Sequence, residues 1–97
     1  MNQKEKTKFR ASAKWNKFRA FMKKISGGID AVTGKLLRKG WNLHHLDESH
    51  YDDLKPEKFR CLNRESHKVV HWLARYTNYE EVAANLVAIV KEMKNYE

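Results

Sequence analysis

Trp15, Phe18, Met22 and Ile25 recur at i, i+3, i+7 and i+10, which lays one apolar stripe along a helix spanning 7–26. Lys14, Lys17, Arg19, Lys23 and Lys24 fill much of the remaining circumference, and Ser26-Gly27-Gly28 ends the helix. Residues 1–6 read as a flexible basic tail. A short extended piece at 29–32 leads into a turn at Thr33-Gly34-Lys35. Residues 41–46 form a predicted strand. Residues 47–57 are acidic and polar, carry Pro56, and read as a loop. Residues 58–62 (KFRCL) alternate as a second strand, with Cys61 packed on the same face as Phe59. A helix follows over 64–76, with Asn63 as its N-cap. Thr77 and Glu80 are spaced as a capping box for a last helix, 78–95, whose expected core stripe is Val82, Leu86, Ile89, Val90 and Met93. The pattern predicts an α+β fold: a β-hairpin plus helix over 29–76, flanked by an N-terminal basic helix and a C-terminal amphipathic helix.

The chain has 97 residues, the size of one domain. No apolar run approaches the roughly 18 residues of a membrane span, so no membrane partner is expected. The N-terminus has no apolar segment of the signal-peptide kind. Cys61 is the one cysteine, which excludes an internal disulfide and fits a reducing, cytoplasmic setting.

Charge changes the picture most. The net is +8, yet residues 1–40 hold 12 Lys and Arg against two acids, while residues 41–97 hold eight against ten. A basic end on a near-neutral body points to a polyanion, nucleic acid first. The alternative is a solvated basic helix that confers solubility. Trp41 and Trp72 are expected in the core.

The five histidines all fall within residues 44–71. Two are neighbours in NLHHLD, residues 42–47, and on a strand neighbours point to opposite faces. His67 and His71 lie four apart on the predicted helix and share one face, a spacing that grips one divalent metal. The alternative is one packed and one solvated histidine. If the strand packs on that helix, His44 or His45 joins the metal and the other is left as a general base.

NLHHLD followed by KFRCLNRESHKVVH resembles the HNH, or ββα-metal (His-Me finger), nuclease family over roughly residues 29–76. The resemblance implies that His44 ligates the metal, that His45 activates the attacking water, and that His67 and His71 complete the metal site. It implies one divalent ion (Mg2+, Mn2+, Ni2+ or Zn2+), DNA as substrate, and the small free-standing type found in phages, acting in a bacterial or phage-infected cell. DAVTGK, residues 30–35, is similar to the stretch that leads into the doublet in many members.

The chain departs from the family in three places. Where many members carry CxxC pairs for a structural zinc, this chain has Asp30, Asn63 and Ser66, so no zinc knuckle is expected. The family's middle Asn falls on Lys58, which either contacts a phosphate or is an exposed strand residue. His50 has no counterpart and reads as a loop residue. Asp47 and Asn63 are possible partners of the metal-binding histidines. Arg64, Lys68 and Arg75 border the helix pair and could grip the DNA backbone alongside Lys14, Lys17, Arg19, Lys23 and Lys24. The expected function is a metal-dependent DNA endonuclease. The alternative is a DNA- or protein-binding module that keeps the fold without cleavage, such as an inhibitor of a host defence nuclease. The chain carries no sign of its oligomeric state.

Overall fold

The computed structural model describes residues 1–97. Four helices and a two-stranded antiparallel hairpin run in the order α1 (Gln3–Arg10), α2 (Ala13–Ile25), β1 (Asn42–His45), β2 (Phe59–Leu62), α3 (Arg64–Ala74) and α4 (Tyr79–Lys94). The chain divides into two compact units, residues 1–67 and 68–97, where the sequence suggested one domain. The division falls inside α3, which is one unbroken helix. None of the helices is long and apolar enough to cross a membrane.

The N-terminal segment departs from expectation twice. Residues 3–6 belong to a helix of their own, because Asn2 caps it by accepting from the Glu5 N–H at 2.8 Å. The single helix expected over 7–26 breaks at Ser12. Its hydroxyl donates to the Phe9 carbonyl at 2.6 Å and accepts from the Trp15 N–H at 3.2 Å, closing α1 and opening α2 with one side chain. The break lets Phe9 turn its ring onto both Trp15 and Tyr51. At the other end α2 stops at Ser26, where Gly27 and Gly28 take positive φ and their N–H groups return to the carbonyls of Lys24 and Lys23.

The hairpin sets the architecture. Its register pairs Asn42 with Leu62, Leu43 with Cys61, His44 with Arg60 and His45 with Phe59. Alternation therefore sends Leu43, His45, Phe59 and Cys61 to one face and His44, Arg60 and Leu62 to the other. The first face packs on α2: Leu43, Phe59 and Cys61 join Trp15, Met22 and Trp41 in the core. Arg19 closes its edge, with its guanidinium 3.9 Å above the Trp41 ring and donating to the Trp41 carbonyl.

The turn before β1 is organised by a buried carboxylate. Asp30 is 1% exposed. Its Oδ1 accepts from the N–H groups of Val32 (2.7 Å) and Thr33 (2.9 Å), its Oδ2 from the Asn63 N–H (2.7 Å), and the Ser66 side chain bonds to it as well. Asn63 then accepts from the Arg38 N–H at 2.7 Å and donates from Nδ2 to the Leu36 carbonyl at 3.0 Å. Asp30, Asn63 and Ser66 thus form one hydrogen-bonded node. The Asn63 carbonyl accepts the first α3 bond, from the His67 N–H, but its side chain does not cap that helix.

Residues 68–97 hold the end of α3 and α4. The expected capping box of Thr77 and Glu80 does not form: Asn78 is the N-cap, its side chain caps no helix N–H, and its Nδ2 donates instead to the Glu81 carboxylate at 3.3 Å. The stripe expected in the core is not buried. Leu86, Ile89, Val90 and Met93 are 43–61% exposed, because a helix end and one further helix cannot enclose an apolar face.

Hydrogen bonds to the ionised form outweigh the cost of burial and hold the Asp30 carboxyl at about 2. A pKa below that of the unfolded chain stabilises the fold at pH values above the unfolded pKa. That share, about 2 kcal/mol, is lost as pH falls from about 4 to 2. Urea denaturation of Asp30→Asn should show a lower midpoint at pH 7 and a flatter fall in stability between pH 4 and 2 than wild type. Parallel acid profiles for the two proteins would refute the assignment.

Candidate metal centre

β1 and α3 bring three histidines together. His44 leaves the hairpin on the face opposite the core, and its ring lies 5.1 Å from that of His67 at 68°. His71 follows one helical turn later on α3. One donor nitrogen from each of His44, His67 and His71 lies within 4.8 Å of the other two. His44 and His67 are half-buried and His71 is exposed, so the cluster opens to solvent on one side. Two nitrogens on one Zn2+ at about 2.1 Å stand roughly 3.4 Å apart in a tetrahedron, so small rotamer adjustments close this set onto one ion. Three imidazoles with an open side suit a borderline ion such as Zn2+, Ni2+ or Co2+ better than Mg2+. The Asp30 node positions the cluster, since it fixes where α3 starts and His67 lies on its first turn.

His45 occupies the other side of the hairpin. It is 9% exposed, stacked 3.9 Å from Tyr51 and 5.3 Å from Trp15 in nearly parallel planes. Its Nε2 lies 3.1 Å from the Tyr51 carbonyl, which can only accept, so Nε2 carries the proton and Nδ1 the lone pair. Burial, only partly offset by that hydrogen bond, pushes its pKa below the usual 6.5 and keeps the ring neutral. The doublet is therefore divided as strand geometry requires, one imidazole in the cluster and one in the aromatic core.

The other expected site residues take varied places. Lys14, Lys17, Lys23 and Lys24 are exposed on α2, which covers the His45 face, so the structure does not bring them to the histidine cluster. Arg19 is committed to Trp41. Lys58 pairs with Asp53 at 2.9 Å and approaches Asp47 at 3.9 Å. Asp47 organises its own loop. It accepts from the hydroxyl and N–H of Ser49 and faces His50 Nδ1 at 3.1 Å, and these bonds, the Ser49 hydroxyl first, lower its pKa to about 2. His50 ends a short 3-10 helix, Glu48–His50, inside the segment expected as a loop. Asn63 belongs to the Asp30 node. Arg64 and Lys68 are exposed on α3 beside the histidine pair.

Arg60 was overlooked in the sequence. It stands across from His44 in the register and belongs to the same face, and its Nη1 donates to the carbonyls of Glu57 and Phe59. The signal was available: if Phe59 and Cys61 point to the core, Arg60 points with His44. Trp72, expected in the core, is 37% exposed, whereas Trp41 is buried.

No protein-family model matches the chain, and neither a curated protein nor a solved structure matches it.

Calorimetric titration with Zn2+ or Ni2+ should give one site per chain. Replacing His44, His67 or His71 by Ala should weaken it by at least roughly tenfold, the scale on which even indirect supports of metal ligands act. His50→Ala should leave it unchanged. Equal affinities across all four variants would place the ion elsewhere.

Proposed function

We propose that this protein is a divalent-metal-dependent endonuclease of the ββα-metal type that hydrolyses phosphodiester bonds in DNA. The observation that carries the reading is the convergence of His44, His67 and His71 from a hairpin and the helix that follows it. The basic character of the chain supports a polyanionic substrate.

The residues divide the work as follows. His44, His67 and His71 would hold the ion, and His45 is the general base. A bound divalent ion supplies Lewis-acid stabilisation of charge on the phosphate and the leaving oxygen. The His45 tautomer suits a base: with Nε2–H anchored on the Tyr51 carbonyl, Nδ1 is free to accept a proton from water, and the lowered pKa keeps the accepting form populated at neutral pH. His45 is the last residue of β1, where the hairpin opens into its loop. Arg60, Arg64 and Lys68 supply positive charge on the cluster's side of the hairpin and along α3, for phosphate oxygens next to the cleaved bond.

One observation favours a second reading. His45 is so enclosed by Trp15, Tyr51 and Phe59 that it also serves the core, as a fold retained for binding DNA or protein without cleavage would need.

Plasmid incubated with the protein in a series of Mg2+, Mn2+, Ni2+ and Zn2+ separates the two. The nuclease nicks or cuts in at least one metal and stops with EDTA. His45→Ala should then lose on the order of 10²- to 10⁴-fold in rate while still binding metal. Undiminished cutting by metal-loaded His45→Ala would remove His45 from the base role. Plasmid retarded in a gel but intact in every metal would favour the binding module.

A further inference from the structure

The metal cluster uses one strip of α3, and the rest of that helix carries a second pattern. By helical geometry His67 and His71 share one face. Arg64 and Lys68 share the next strip, roughly 60° further round, and Trp72 lies roughly 60° beyond it, while Arg75 and Tyr76 follow in the turn just past the end of α3, their N–H groups bonded to the carbonyls of Trp72 and Leu73. Arg64, Lys68 and Arg75 are all exposed. The carboxylates of the chain pair with Lys6, Arg38, His50, Lys55, Lys58 and Lys94, and none pairs with these three. Trp72 and Tyr76 are 37% and 40% exposed, with ring centres 5.2 Å apart at 63°.

A purely solvated face has no use for an open indole, and an apolar protein partner has no use for three unneutralised cations along its border. A single strand of nucleic acid matches both: its phosphates follow positive charge, and its unpaired bases stack on aromatic faces. A duplex keeps its bases stacked internally and offers Trp72 nothing. We propose that α3 is a track for single-stranded or locally unpaired nucleic acid, with the backbone along Arg64, Lys68 and Arg75 and an unpaired base stacked on Trp72. The proposal rests on the nuclease reading only in placing the cleaved phosphate at His67 and His71, within one or two nucleotides of that base.

Fluorescence anisotropy of a labelled twelve-nucleotide oligothymidylate and of its duplex with oligoadenylate, in EDTA, tests it on the full chain. Wild type should bind the single strand more tightly than the duplex. Trp72→Ala should weaken single-strand binding by roughly tenfold or more, the worth of one stacked base, and leave duplex binding nearly unchanged. Trp72→Phe should restore most of the difference. Wild-type single-strand binding by Trp72→Ala, equal losses on both probes, or a Trp72→Phe as weak as Trp72→Ala would each overturn the track; the first would leave the face to a protein partner. The plasmid assay reads the nuclease separately. Binding that depends on Trp72 without cutting in any metal keeps the track and removes the nuclease. Cutting with single-strand binding indifferent to Trp72 does the reverse.

Discussion

The Asp30 carboxylate is the tie on which the geometry of the histidine cluster depends. It gathers N–H groups from its own turn before β1 and from the residue that opens α3, together with the Ser66 side chain, so two segments about thirty residues apart meet on two oxygens. Asn63 extends the tie to Arg38 and Leu36. No buried side-chain polar atom is left without a hydrogen-bond partner. A zinc knuckle would draw such segments together with four thiolates. Here a single charge does so, which is effective because hydrogen bonds to an ionised acceptor are stronger than neutral ones. Its position at the start of α3 also places negative charge where the helix dipole favours it.

From that tie the histidine geometry follows by counting. α3 begins at Arg64, so His67 and His71 sit on its first and second turns. The hairpin register, anchored by Leu43, Phe59 and Cys61 in the core, sends His44 the other way. The same alternation carries His45 into the aromatic cluster of Trp15, Tyr51 and Phe59. One strand thus sends adjacent histidines to opposite faces, and a one-residue slip would exchange their places.

The hairpin, α3 and the His67–His71 pair were legible in the sequence because each is a local signal, whereas the choice of His44 over His45 as their companion came only from the family resemblance. They rest on period-two alternation in KFRCL, a helical run after Asn63, and an i, i+4 pair beneath a doublet. The Ser12 break was hidden because residues 7–13 carry no Gly or Pro to mark it. Only the double use of the Ser12 hydroxyl and the contacts of Phe9 show why the chain turns there. Arg19 read as one more surface cation until Trp41, 22 residues away, proved to lie under it. The role of Asp30 was equally non-local in part, since two of its partners, Asn63 and Ser66, follow more than thirty residues later. The α4 stripe misled for a different reason: its period is that of a packed helix, but nothing in a pattern says what it packs against.

One ion, held by His44, His67 and His71, is proposed to make this fold a nuclease. The most direct test overlays two curves measured on the same wild-type sample: DNA cleavage rate against free Ni2+ or Mn2+, and calorimetric occupancy of the site by that metal. The account predicts that the rate rises with occupancy and that the rise disappears in His67→Ala. A rate that is insensitive to site occupancy, or that persists undiminished in His67→Ala, would contradict it.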